Sequence, residues 1–215
     1  SVGSVKINGM SEGQLMLGNG SRVPLEAFAK DVLEQYKDGY LLQTDLKPHQ
    51  DMQGIIGDAI ASIRVVTVND GSGVKPAYAV WKIPSPAAMS DNFWQDGSML
   101  GLINISDGTV LNCHRGKGPS AELLEKHPQS QQSVVGFQVP HWTSVIENAI
   151  AAHELFPEFG IFGFDIAITE DGPVIMECND KPNHMVYQYP ARRGIQNQDL
   201  KQIWDSVIGR QKKVA

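Results

Sequence analysis

Apolar residues along this chain follow two periods, and the places where the period changes mark its elements. SIRVVTVN (62–69) and PAYAVWKI (76–83) are short, β-branched and aromatic runs separated by the turn sequence NDGSG, which predicts an antiparallel strand pair. SMLGLINI (98–105) and TVLNC (109–113) predict a second hairpin over Asp107-Gly108. Short strands are expected over 4–9 and 14–18, with a turn around Gly13, and another over YLLQTDL (40–46), running into Pro48. Helical spacing appears in four places. Pro24 opens a helix carrying Leu25, Phe28, Val32, Leu33 and Tyr36. Met52, Ile55, Ile56 and Ile60 share one face of a shorter helix. A third runs from about 143 to 155, with Trp142, Val145, Ile146, Ala149, Ile150 and His153 in one stripe. Leu200, Ile203, Trp204 and Val207 mark the last. Residues 114–140 are polar and irregular, and predict a long surface loop. The plan is α+β: a largely antiparallel sheet with helices packed on one side.

Chemistry-bearing residues concentrate in GFDIAITEDGPVIMECND (163–180), which reads as two strands and a tight turn. If the turn centres on Asp171 as a three-residue loop of Glu170, Asp171 and Gly172, Asp165 stands directly opposite Glu177. Asn179, two residues on, then shares their face. Like charges directly opposed destabilise a hairpin, and a bound cation is the simplest compensation. Two carboxylates and an amide oxygen are hard donors, suited to Mg²⁺ held together with phosphates. A bulge would slip the register by one and separate the acids onto opposite faces, leaving a plain hairpin with solvated carboxylates. The apolar neighbours Phe162, Ile166, Ile168, Val174, Ile175 and Met176 favour acids embedded in core-like strands.

Two cations interrupt apolar strands in the same way. Arg64 follows Ile63 and precedes Val65-Val66, and Lys82 stands near the end of the neighbouring run. A long cation inside a strand either snorkels to water, pairs with a structural carboxylate, or meets an anionic ligand. Facing phosphate, Arg presents a planar fork and Lys a point charge. Asp91 and Asn92, in the irregular stretch DNFWQDG, extend that surface. Of the 6 histidines none forms a metal-ligand spacing, and His153 on its apolar stripe reads as a satisfied core residue. His184 either reaches a substrate or is an ordinary loop histidine.

Composition narrows the class. The 215 residues are 41% hydrophobic and 20% charged, within the range of a globular protein. A net charge of −6 argues against a broad nucleic-acid surface, and no apolar run approaches the roughly 20 residues needed to span a bilayer. No secretory signal is visible. The 2 cysteines, Cys113 and Cys178, read as buried thiols in a reducing cytoplasm, which is the expected location.

These motifs together resemble the ATP-grasp superfamily. GFDIAITEDGPVIMECN is similar to its closing motif, an Asp on one strand and Glu-x-Asn on the next. LLQTDLKPHQ resembles the hinge that receives adenine, IASIRVVTV the strand that supplies a phosphate-facing arginine, and AVWKIP with SDNFWQDG the basic residue and the Asn-containing segment. Their order and spacing resemble the sugar-transfer-associated ATP-grasp branch over roughly residues 38–185. The resemblance implies an ATP-grasp fold, Mg²⁺ ligands at Asp165, Glu177 and Asn179, and Arg64 on the transferring phosphate with Lys82 and Asn92 in support. It places Gln43, Thr44, Asp45 and Leu46 at adenine, and Asp180 and Lys181 toward the acceptor.

In that family a lysine precedes the Gly-rich loop covering the phosphates. SVGSVKI resembles the tail of that loop, so the earlier lysine and the N-terminal lobe are expected to be missing. The chain is then either part of a longer enzyme or reduced in ATP affinity. Residues 1–48 are expected to form part of the lid subdomain, ending in the adenine hinge, and 49–215 the C-terminal catalytic subdomain. The resemblance implies an ATP- and Mg²⁺-dependent ligase that joins a small-molecule carboxylate to an amine or thiol through an acylphosphate. The alternatives are a non-catalytic nucleotide-binding regulatory module and an ATP-grasp phosphotransferase. The oligomeric state is left open.

Overall fold

A computed structural model describes residues 5–85, 95–117 and 121–214. It divides into two compact units, Ser1–Asp45 and Leu46–Ala215. The smaller unit is a three-stranded antiparallel sheet of β1 (Ile7–Ser11), β2 (Gln14–Leu17) and β3 (Arg22–Pro24), followed by helix α1 (Leu25–Gln35). Pro24 caps α1, where its missing N–H costs nothing because the first turn has no acceptor for it. The helix buries none of its residues, and Leu33 is 75% exposed.

The larger unit is built on a seven-stranded sheet in the order β10-β9-β4-β5-β6-β7-β8, every neighbouring pair antiparallel. Its strands are β4 (Ser62–Asn69), β5 (Val74–Ile83), β6 (Met99–Ile103), β7 (Val110–Arg115), β8 (Glu122–Leu124), β9 (Ile161–Thr169) and β10 (Gly172–Asn179). Helices α2 (Gln50–Ile56) and α3 (Trp142–Glu154) lie on one face, and α4 (Met185–Ala191) and α5 (Gln198–Val214) on the other. Each face therefore has its own core. Ile63, Val65, Trp81, Phe164 and Ile166 pack with Met52, Ile55, Val145 and Ala149, whereas Val66, Val80 and Leu100 pack with Val186, Leu200, Trp204 and Val207. The expectation of helices on one side is corrected here. With both faces covered, the central strands β4 and β9 are buried almost throughout, so they read as continuous apolar runs.

Three further expectations fail. The strand expected over 40–46 does not form. These residues have no regular structure, and Leu41 and Leu42 are 78% and 75% exposed. Two consecutive leucines would point to opposite faces of a strand, and among the described residues no strand pairs with this segment. The described part of 114–140 is not a free surface loop. It contributes β8, and Val134 and Val139 are buried in the core. Cys113 is fully buried, with its thiol pushed up to about 12 by desolvation. Cys178 is exposed, because β10 is the edge strand and its residues 174–178 are uncovered. His153 is the satisfied core residue expected: it is fully buried, Nδ1 is 2.7 Å from the Thr67 hydroxyl, and Nε2 is 3.2 Å from the Phe159 carbonyl.

Candidate functional site

The β9–β10 hairpin reaches the expected register by a different route. Its loop has two residues, Glu170 and Asp171, between the paired Thr169 and Gly172. Alone, that loop would oppose Asp165 to Met176. A bulge at Met176 restores one residue, so Glu177 pairs with Asp165 and Asn179 with Gly163. The loop is tied down at its tip, where Glu170 Oε1 accepts the Gln50 backbone N–H at 2.6 Å, at the N-terminus of α2. A carboxylate there satisfies a donor that has no partner within the helix.

Antiparallel pairing then carries the site across two more strands. Arg64 on β4 pairs with Asp165 on one side and Val80 on the other, and Ser62 pairs with Ala167 and Lys82. Period-two alternation puts Asp165, Arg64, Lys82, Glu177 and Asn179 on one face, and Tyr78 joins them opposite Val66. Arg64 grips Asp165 with both prongs: Nε donates to Oδ1, and a terminal nitrogen donates to Oδ2 at 2.7 Å. Lys82 Nζ donates to the same Oδ2 at 2.9 Å. It reaches across β4 because the fully buried residues between, Ser62 and Ala167, are small. Gly163 matters for the same reason. A Cβ there would lie 2.7 Å from the Pro182 Cβ and 3.1 Å from the Arg64 Cδ.

Burial opposes ionisation of both partners, and their mutual attraction overrides it. Desolvation works to lower the Arg64 pKa, but the hydrogen bonds and charge of Asp165 leave it above the ordinary value. Desolvation works to raise Asp165, but Arg64 and Lys82 hold it below the usual carboxylate range. Side-chain exposures of 8%, 14% and 3% for Arg64, Lys82 and Asp165 make this a desolvated cluster. Of the three readings open for these cations, pairing with a carboxylate is the one observed. Glu177 lies on the exposed edge, and Asn179 Nδ2 donates to the Gly163 carbonyl at 3.2 Å, which orients its oxygen as the remaining acceptor.

Two residues join the cluster that the apolar pattern did not single out together. The Tyr78 hydroxyl lies 2.8 Å from His184 Nδ1, and burial keeps the phenol protonated far above its ordinary range. Burial and then the Arg64 charge lower the His184 pKa. Tyr78 was findable, since it precedes Lys82 by four residues and so shares its face. His184 also lines a cavity of about 250 Å³ with Ile161, Ile195, Gln196, Trp204 and Val207.

Not every expected residue is here. Asn92, with Asp91, falls outside the described residues. Gln43, Thr44 and Asp45 are exposed, Asp45 paired with Lys6 at 3.0 Å in the smaller unit, while Leu46 begins the larger one. Asp180 and Lys181 are exposed just beyond β10.

Among the described residues, no three His, Cys, Asp or Glu side chains come together as a metal cluster. The donors available are two carboxylates and one amide. That set fits an ion such as Mg²⁺, which takes the rest of its shell from phosphate oxygens and water. Asp165 already accepts three hydrogen bonds, leaving one of the four acceptor positions of a carboxylate.

An antiparallel sheet of this order with helices packed on it is consistent with the ATP-grasp fold. The model of the sugar-transfer associated ATP-grasp family matches residues 19–204, and the chain belongs to that family. No curated protein matches the chain significantly. The family assignment carries nucleotide binding and ATP-dependent, ligase-like chemistry in general terms. Among the described residues, no helix is long and apolar enough to cross a membrane.

Proposed function

We propose that this chain carries the nucleotide-binding and catalytic part of a ligase that activates a small-molecule carboxylate with ATP and passes it to an amine or thiol. The substrate carboxylate oxygen takes the γ-phosphoryl group and ADP leaves. The acceptor nucleophile then forms its bond to the carbonyl carbon, inorganic phosphate departs, and the nucleophile's proton goes to solvent or phosphate. No protein nucleophile is needed, so catalysis reduces to positioning and charge stabilisation. The observation that carries the reading is the convergence of Arg64, Lys82, Asp165, Glu177 and Asn179 on one sheet face.

In this reading Arg64 and Lys82 bind phosphate oxygens, with Asn92 assisting. Asp165, Glu177 and Asn179 would hold Mg²⁺, which when bound neutralises charge on the phosphates. Gln43 to Leu46 line the adenine site. Residues 1–48 act as part of the lid and 49–215 as the catalytic subdomain. Asp180, Lys181 and the His184 cavity would face the acceptor. The competing reading, a nucleotide-binding module without catalysis, draws support from the commitment of the Asp165 carboxylate to two neighbouring cations.

Glu177→Gln separates the two readings. Glu177 is exposed on an edge strand, so the change should leave the melting temperature nearly unchanged. The ligase reading expects carboxylate-dependent ADP release by the wild-type chain and its loss in the variant. Nucleotide binding with no ADP release under any carboxylate and acceptor mixture would favour the module. Wild-type turnover retained by Glu177→Gln would remove that residue from the site.

A further inference from the structure

Arg64, Lys82, Asp165 and Glu177 carry charges that sum to zero on one face of the sheet. Three of them are in direct contact. Both Asp165 oxygens face cations, the guanidinium fork on one side and the Lys82 ammonium on the other. Charge-assisted bonds of this kind, almost out of water, are the strong ones, and each partner is costly to leave alone. A divalent cation approaching Asp165 therefore meets two positive charges already seated on the only carboxylate buried among the described residues. A polyphosphate anion meets the opposite situation. It offers Arg64 and Lys82 more acceptor oxygens than Asp165 does, and it leaves Asp165 and Glu177 as uncompensated negative charge that a divalent cation can neutralise.

We propose that Asp165 serves as an internal counter-anion for Arg64 and Lys82, so that the site accepts a polyphosphate before it accepts a divalent cation. The inference rests on the ligase reading, and extends it from which groups bind phosphate to the order in which ligands enter. Gly163 and the small Ser62 and Ala167 are the structural means. They leave room for both cationic side chains to lie across the sheet.

Binding of Mn²⁺, followed by its electron paramagnetic resonance signal, tests this on the whole chain with inorganic tripolyphosphate as the anion. The wild type should bind tripolyphosphate without metal, and should bind Mn²⁺ at least ten-fold more tightly when tripolyphosphate is present. Lys82→Met removes one competitor for Asp165, and should tighten Mn²⁺ binding without anion at least ten-fold. Lys82→Gln serves the same purpose if the methionine variant does not fold, as judged by thermal melting. The inference is overturned if the wild type binds Mn²⁺ alone as tightly as with tripolyphosphate, or if neither Lys82 variant changes binding of Mn²⁺ alone. Those outcomes leave the ligase reading standing provided the Mn²⁺–tripolyphosphate pair binds. If the pair does not bind the wild type at all, both fall.

Discussion

Replacing Asp165 with asparagine tests how much of the fold depends on the charged cluster. The substitution preserves size but removes the negative charge that both Arg64 and Lys82 contact. Asp165 accepts three hydrogen bonds, whereas the asparagine oxygen accepts at most two and its amide turns donors toward donors. Arg64, with a side chain 8% exposed, is left as a buried cation without a contacting counter-charge. Breaking a buried ion pair from one side costs about 3–5 kcal/mol. For a chain of this size that corresponds to a melting temperature lower by about 6–20 °C. The Lys75–Asp70 pair at 3.2 Å, at a surface turn, is the internal control, and Asp70→Asn should cost much less. Urea unfolding followed by tryptophan fluorescence suits the measurement, because all 4 tryptophans lie beyond residue 45 and report the larger unit alone. Removing both partners, as Arg64→Met with Asp165→Leu, should cost clearly less than the sum of the single changes. A cost for Asp165→Asn no larger than that of Asp70→Asn, or additive single changes, would refute the account. One consequence concerns activity measurements: lost turnover in Asp165→Asn conflates lost stability with lost chemistry, whereas Glu177→Gln does not.

Three other outcomes follow from the same geometry. Gly163→Ala places a methyl 2.7 Å from Pro182 and 3.1 Å from Arg64, so it should destabilise by about 1–3 kcal/mol and weaken tripolyphosphate binding. Thermal melting and an anion titration read the two effects, and no change in either would mean that Pro182 and Arg64 move away freely. Thr67→Val removes the hydroxyl on His153 Nδ1 from a fully buried contact, at about 1–3 kcal/mol in urea unfolding; a neutral result would show that this hydrogen bond does not stabilise the fold. Burial lowers the pKa of His114, His127 and His184 in the fold, so below about pH 6.5 the unfolded chain binds more protons. Stability should be complete above that pH and decline as pH falls from 6.5 toward the lower folded values, and a urea midpoint unchanged between about pH 7.5 and 5 contradicts it.

What could be read from the residues, and what could not, divides along local versus long-range interactions. The hairpins over Asp107-Gly108 and Glu170-Asp171, the stripe Trp142–His153 and the last helix are set by turn chemistry and periodicity within a dozen residues. Their positions held. The hairpin register agreed only because the shorter loop and the bulge at Met176 offset each other, and a bulge leaves no mark in an apolar run. Burial of Cys178 and the strand over 40–46 depended on what lies beside them, which no local pattern contains. Helices on both faces were missed for a related reason. Fully buried strands lose the alternation that distinguishes one face from the other.

The charged cluster shows where that division falls within a single site. Arg64, Lys82 and Asp165 each interrupt an apolar strand, and a charge in such a place must be compensated. That much is a local inference, and it correctly singled out all three. Which charge compensates which is decided by the sheet order, because β9 follows β4 by about a hundred residues yet lies directly beside it. With β9 at any other position, Arg64 and Lys82 would lose the carboxylate they share, and Asp165 both of its cations. In the order observed they satisfy one another. The residues that suggest metal and phosphate binding also stabilise the protein, and any ligand that binds there must compete with the fold for the same charges.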